Sequence, residues 1–145
     1  MKYMKVVFFC LILCVIAPGC RITGQSNNGH QLRLIAQERV GITESITFYA
    51  TVDMKELVVP EGAVENGLTW EMETQDGSWK IKKSLEGYVL PMHPVSYRKG
   101  QVIPISKDVS TFFESPKTGQ AYRVFLDAPV PGGRLTSNTI RVIVK

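Results

Sequence analysis

Apolar and polar residues alternate with a period of two over most of the chain from Gln31 onward. The clearest runs are Ile46–Val52, Leu68–Met72 and Tyr122–Ala128, in which every second residue is apolar. Successive side chains of a β-strand point to opposite faces, so this pattern places one face of each strand in a core and the other towards solvent. The chain is therefore predicted to fold as an all-β protein.

Turn residues separate the alternating runs. The sequence QDGS at Gln75–Ser78 is a strong turn signal, and it predicts a hairpin over Leu68–Lys83. The segment Pro129–Gly133 is predicted to end a strand, because proline cannot donate a ladder hydrogen bond. Seven to eight short strands without a convincing amphipathic helix favour a single antiparallel β-sandwich over residues 31–145. A closed barrel is the alternative.

Two aromatic residues carry a further resemblance. Trp70 lies in the middle of the predicted third strand, and Tyr122 opens a later strand just after the Lys117–Gly119 turn. These positions resemble the core tryptophan and the corner tyrosine of immunoglobulin-like and fibronectin-III-like domains. The resemblance implies an immunoglobulin-like sandwich in which Trp70 fills the core and Tyr122 bonds back to the preceding corner. A fold resemblance of this kind implies no particular activity.

The first twenty residues have the layout of a secretory signal. Two lysines precede the twelve apolar residues of Val6–Ala17, a stretch too short to span a bilayer permanently. The sequence APGC that ends at Cys20 resembles the lipobox of bacterial lipoproteins, whose cysteine is acylated after the signal is removed. The resemblance implies a lipoprotein signal peptide over residues 1–19 and lipidation of Cys20 at a bacterial membrane. Ordinary cleavage nearby, which would leave a secreted soluble protein, is the alternative.

Cysteine usage favours lipidation. Cys10 and Cys14 would leave with the signal, so Cys20 has no intramolecular partner for a disulfide. An unpaired thiol is a liability in an oxidising compartment, and acylation removes it. The polar residues that follow predict a flexible tether over residues 20–30. Arg21, and not an aspartate, follows the cysteine. In a Gram-negative host, the resemblance to lipoproteins then implies sorting to the outer membrane.

Charge and histidine content exclude several classes of function. Removal of the signal with its two lysines would lower the formal net charge from +4 to +2, which is mild, so nucleic acid is not an expected partner. His93 is the single histidine after the tether, which gives little basis for a catalytic triad. The protein is therefore not expected to be an enzyme, and no cofactor is expected. Met92 and His93 could together ligate copper, and a copper-binding lipoprotein remains a minor alternative.

A basic stripe on the predicted hairpin is one candidate binding surface. Lys80 and Lys82 alternate along one strand and could dock an anionic partner. The alternative is structural, because Glu71 and Glu73 on the neighbouring strand would pair with these lysines across the hairpin.

The loop Asp127–Asn138 is the other candidate, because its two prolines and two glycines would present Arg134 and Leu135 on a stiff support. Together these features predict a non-catalytic, lipid-anchored module that recognises an envelope protein or polysaccharide. A second hypothesis is an inhibitor of an exported hydrolase, a lysozyme or a protease. Such an inhibitor would present a rigid loop, Pro129–Arg134 or Pro91–Pro94, to the enzyme.

Overall fold

A computed structural model describes residues 22–23, 31–83 and 93–145, and it describes side chains for residues 31–80 and 93–145. The predicted signal peptide, the lipidation of Cys20, Met92 and the side chain of Lys82 lie outside the described residues. The elements, in chain order, are β1 (Ile22–Thr23), β2 (Leu32–Gln37), β3 (Arg39–Val40), β4 (Ser45–Val52), β5 (Glu56–Pro60), α1 (Ala63–Asn66), β6 (Leu68–Glu73), β7 (Trp79–Lys83), β8 (Pro94–Arg98), β9 (Val102–Asp108), α2 (Val109–Phe112), β10 (Ala121–Val130), β11 (Gly133–Thr136) and β12 (Ile140–Val144).

These strands form two packed sheets. The first has the order β1-β2-β4-β9, and the second has the order β3-β12-β10-β6-β7. Neighbouring strands run antiparallel except β3, which runs parallel to β12. Strand β11 pairs with the end of β10, while β5 and β8 form a separate two-stranded ribbon. The prediction of an all-β sandwich is confirmed. The described residues hold nine strands of at least five residues and three shorter ones, where seven to eight were predicted. None of the described residues forms a helix long and apolar enough to cross a membrane.

Aromatic rings fill the centre of the core. Trp70 is 2% exposed, and its Nε1 donates a hydrogen bond to the Phe112 carbonyl at 2.9 Å. The Tyr122 ring meets the Trp70 ring edge-on at 5.3 Å between centroids and stacks on Phe113 at 4.1 Å. Burial raises the pKa of Tyr122 to about 12. The core position predicted for Trp70 is confirmed, and α2 supplies the carbonyl that satisfies its indole.

A buried amide side chain links the two sheets. Asn138, in the connection from β11 to β12, accepts a hydrogen bond from the Leu34 N–H at 2.7 Å and donates one to the Leu34 carbonyl at 3.0 Å. Leu34 lies in β2, and these groups face the edge of β2 away from β4. The side chain of Asn138 therefore takes the place of a neighbouring strand at that edge.

One strand at a sheet edge contains a proline. Val52 of β4 donates its N–H to the Gln101 carbonyl at 3.1 Å. Backbone groups alternate sides along a strand, so the even-numbered residues of β4 form hydrogen bonds towards β9. The backbone groups of Tyr49 therefore point away from β9. Pro104 lies opposite Tyr49, and its nitrogen therefore faces the side of β9 away from β4. Proline is tolerated at this position because its pairing with β4 does not use the donor that it lacks.

Gly67 is required by a close backbone approach between α1 and β10. A Cβ at this position would lie 2.5 Å from the Ala63 carbonyl oxygen and 2.8 Å from the Asp127 carbonyl oxygen. Gly67→Ala is expected to lower the free energy of unfolding by about 1–3 kcal/mol, because two backbone segments would have to move apart. Urea denaturation measures the change. Gly133→Ala is the matched control, since a Cβ there meets nothing within 4 Å, and equal losses in both variants would contradict the steric explanation.

Candidate functional site

An apolar cleft opens between the β5–β8 ribbon and the tip of the β10–β11 hairpin. Its volume is about 290 Å³. We call it the proline cleft, and the residues that line it are Val58, Val59, Pro60, Pro94, Pro129, Val130 and Pro131.

The hairpin wall of the proline cleft differs from the sequence-based expectation. The prediction that Pro129–Gly133 ends the strand is wrong, because β10 continues to Val130 and Pro129 pairs with Arg134 of β11. The N–H of Asp127 donates to the Gly67 carbonyl at 2.9 Å, on the side of β10 away from β11. Strand nitrogens alternate sides, so the Pro129 nitrogen also points away from β11, and its missing donor does not interrupt the hairpin.

The opposite wall also contains a proline whose nitrogen points away from its paired strand. The N–H of Glu61 donates to the His93 carbonyl at 2.8 Å, so the nitrogen of Pro60, one residue earlier, points away from β8. Pro60, Pro129 and Pro131 all lack an N–H group, whereas their carbonyl oxygens remain. The proline cleft is therefore lined by apolar side chains, and its prolines supply no backbone donor.

Arg134 and Leu135 support the hairpin rather than line the cleft. The Arg134 Nε lies 3.0 Å from each carboxylate oxygen of Asp127, and its terminal nitrogen lies 2.9 Å from one of them. Leu135 is partly buried and packs against the core. These two predicted binding residues therefore do not line the proline cleft, but they stabilise the hairpin that forms one of its walls. The exposed tip of this wall is the Pro131–Gly132 turn, in which Gly132 has a φ of 84°.

The carboxylates on the outer face of the second sheet pair with arginines. Glu71 Oε2 lies 2.7 Å from a terminal nitrogen of Arg123, and Glu73 Oε2 lies 3.4 Å from a terminal nitrogen of Arg141. The Trp79 ring covers the Arg123 guanidinium at 4.3 Å from the ring centroid. This face is therefore an ordered array of opposite charges.

Lys80 does not take part in that array. It is exposed and lies opposite Met72, and directly opposite residues share a face of the sheet. The expectation that Lys80 pairs with Glu71 and Glu73 is wrong, because those carboxylates leave the sheet on the other face. The side chain of Lys82 lies outside the described residues.

The turn predicted at Gln75–Ser78 is confirmed, and side-chain hydrogen bonds hold it. The carboxylate of Asp76 accepts hydrogen bonds from the hydroxyl of Thr74 and from the hydroxyl and N–H of Ser78, the last two at 2.7 and 3.0 Å. These bonds, that of Thr74 first, lower the pKa of Asp76 to about 2. The turn therefore fixes the tip of the hairpin that carries Lys80.

Metal-binding side chains are not clustered in the described part of the chain. Among the described residues, no group of three or more His, Cys, Asp or Glu side chains could hold a metal ion. His93 is exposed beside Pro94 at the edge of the proline cleft. Met92, its predicted partner for copper, lies outside the described residues.

The proline cleft lies at the end of the sandwich opposite to β1. Ile22 of β1 pairs with Gln37 at the end of β2. Arg39 of β3, two residues further along the chain, pairs with Ile143. Ile143 also pairs with Ala121, so β10 begins at the same end of the sandwich as β1. The ten residues of β10 then lead to the cleft, over a length of roughly 30 Å.

The sequence pattern did not reveal this site. It drew attention to Pro94 and to Pro129–Arg134 separately, as parts of two loops. Only the pairing of β5 with β8 and the position of β10 bring these prolines together with Val58–Pro60. Comparison of the chain with protein-family models and with curated proteins finds no match.

Proposed function

We propose that the protein is a non-catalytic, lipid-anchored module of a bacterial cell envelope that binds an envelope protein through the proline cleft. The observation that carries the proposal is the cleft itself, an apolar recess rich in proline at the end of the sandwich opposite to β1. An exposed apolar recess at one end of a rigid sheet pair is typical of a recognition surface.

The proposed fold type is immunoglobulin-like. In that fold, strands A, B and E of one sheet face strands C, F and G of the other. The orders β2-β4-β9 and β12-β10-β6 match those two sets in sequence order, which supports the assignment. The buried Trp70 in β6 occupies the place of the strand-C tryptophan. Immunoglobulin-like domains commonly bind through the ends of the sandwich, and this tendency agrees with the position of the proline cleft.

The proposed anchor is an acylated Cys20 at the outer leaflet of a bacterial cell membrane, or at the outer membrane in a Gram-negative host. The resemblance of the sequence around Gly19–Cys20 to a lipobox supports it. A lipid anchor confines the domain to a surface and raises its effective concentration towards a partner on the same surface.

The chemistry of the cleft favours a protein partner over a polysaccharide. Its volume of about 290 Å³ is at the lower limit of small-molecule sites, so it suits a few apolar side chains. A sugar chain presents hydroxyl groups that need both donors and acceptors, whereas the walls formed by Pro60, Pro129 and Pro131 offer few donors. An extended apolar segment of a protein can bury its side chains here without requiring hydrogen-bond donors from the walls.

Cleft-dependent capture of a partner tests the proposal. Cells that express the wild-type chain, Val58→Asp or Val102→Asp are cross-linked, and the co-purified proteins are identified by mass spectrometry. Val58 and Val102 are both half-buried strand valines, but Val58 lines the proline cleft and Val102 belongs to β9. A carboxylate in an apolar recess is costly, so Val58→Asp is expected to lose at least about tenfold in captured partner.

Two results would contradict the proposal in different ways. Equal capture by Val58→Asp and Val102→Asp would remove the proline cleft as the binding surface. Failure of Cys20→Ala to leave the membrane fraction, or no acyl chain on the wild-type protein, would remove the lipid anchor and leave the cleft proposal intact.

An inhibitor of an exported lysozyme or protease is a second candidate. The observation that favours it is that the two loops singled out from the sequence, represented by Pro94 and Pro129–Arg134, meet at one end of the molecule. The Asp127–Arg134 ion pair stiffens the hairpin that would enter an enzyme cleft. Loss of hydrolase activity on addition of the purified protein, reversed in Val58→Asp, would favour this candidate.

A further inference from the structure

We propose that β1 sets the orientation of the domain on the membrane, so that the end carrying Gln37–Glu44 faces the bilayer and the proline cleft points away from it. The inference rests on the proposed acylation of Cys20. It adds a defined surface for contact with lipid, which a flexible tether over residues 20–30 would not create.

The pairing of β1 completes an edge that Asn138 begins. The Leu34 N–H and carbonyl face the outer edge of β2, where Asn138 bonds to both. Backbone groups alternate along a strand, so those of Ala36 face the same edge. Thr23 pairs with Ala36 there, and Ile22 pairs with Gln37. The outer edge of β2 is thus covered first by a side chain and then by β1.

The short stretch of chain between Cys20 and β1 keeps the proposed lipid anchor close to this edge of β2. Only Arg21 separates Cys20 from Ile22. Each extended residue spans at most about 3.6 Å, so the Cα atoms of Cys20 and Ile22 lie within roughly 7 Å of each other. An acyl chain on Cys20 must therefore enter the bilayer close to the end of β2.

Two further segments of the chain lie at the same end of the sandwich. The N–H of Gly119 donates to the Val144 carbonyl at 2.7 Å, and Val144 pairs with Val40 of β3. The N–H of Val109 donates to the Glu44 carbonyl at 3.1 Å, so the start of α2 also lies here. These segments form the face that meets the lipid, and the proline cleft stands roughly 30 Å above it, along β10.

A pair of matched cysteine labels tests the orientation. Ser110 and Ser96 are both exposed, and Ser110 lies in α2 at the anchor end, whereas Ser96 lies opposite Val58 near the proline cleft. The residues after Cys20 contain no cysteine, so Ser110→Cys and Ser96→Cys each give one free thiol in the acylated protein. The full acylated chain, with a fluorophore on that thiol, is placed in phosphatidylcholine–phosphatidylglycerol vesicles that carry a headgroup quencher.

The expected result is loss of fluorescence from the Ser110→Cys label and little change from the Ser96→Cys label. Thr23→Pro removes the N–H with which β1 bonds to Ala36. This substitution is expected to reduce the difference in quenching between the Ser110→Cys and Ser96→Cys labels. Equal quenching of both labels on vesicle-bound protein, or an unchanged difference in Thr23→Pro, would overturn the role of β1. Protein that does not associate with the vesicles would overturn the acylation on which the inference rests.

Discussion

Trp70→Ala is expected to lower the free energy of unfolding by about 3–5 kcal/mol, the largest loss predicted for a single side chain in this protein. The ring contacts Tyr122 and Phe113 edge-on, so its removal leaves a cavity between the sheets. The Phe112 carbonyl would also lose its hydrogen bond from Nε1 while remaining buried. Guanidinium denaturation followed by far-ultraviolet circular dichroism measures the change without relying on tryptophan emission.

The second tryptophan provides the control. Trp79 is half-buried on the outer face of the second sheet, where it packs against Arg123. Trp79→Ala is expected to cost about 1 kcal/mol, the contribution of a partly exposed cation–π contact. If Trp70→Ala does not fold, Trp70→Phe retains most of the volume and still loses the hydrogen bond to Phe112. Equal losses from Trp70→Phe and Trp79→Phe would contradict the central role of the Trp70 indole.

Asn138→Ala is expected to cost about 2–4 kcal/mol, because it leaves both the N–H and the carbonyl of Leu34 buried without a partner. The loss should be concentrated at the outer edge of β2. Amide hydrogen exchange gives a local readout, and the Leu34 amide is expected to lose protection more than the amides of β4. Chemical denaturation gives the global value.

Asn66 allows the same substitution at the surface. Its side-chain amide donates to the Gly62 carbonyl at 2.9 Å but is exposed. Asn66→Ala is therefore expected to change stability by a few tenths of a kcal/mol to about 1 kcal/mol, since water can replace that bond. A loss at Asn138 no greater than at Asn66, with the Leu34 amide still protected, would show that another group covers the edge of β2.

The all-β sandwich was predictable because the alternation of side chains is a local property. In Ile46–Val52 every second residue is apolar, and Ile46, Phe48, Ala50 and Val52 are at most 1% exposed. The hairpin over Leu68–Lys83 followed equally from its turn residues. The ion pairs of this hairpin could not be predicted from its own sequence. The partners of Glu71 and Glu73 come from β10 and β12, which lie far away in sequence.

The candidate site depended on information that the sequence pattern lacks. Proline predicted a strand end at Pro129, but a proline whose nitrogen points away from its neighbour can continue a strand, and that direction depends on register. The pairing of Asn138 with Leu34 spans 104 residues of chain and has no local signal. The proline cleft likewise depends on three segments meeting, so composition alone pointed to loops and not to a recess.

Pro104 has a consequence for how copies of the protein behave at high density. An open strand edge is a template on which a second molecule can add its own strand and start a growing assembly. Among the described strands, none pairs with β9 on the side away from β4, and on that side the strand lacks a donor midway because the Pro104 nitrogen faces outward. A molecule that approached this edge could not form an uninterrupted ladder. Strand addition between molecules crowded side by side on a surface is therefore disfavoured at this edge, which favours keeping both ends of the sandwich available.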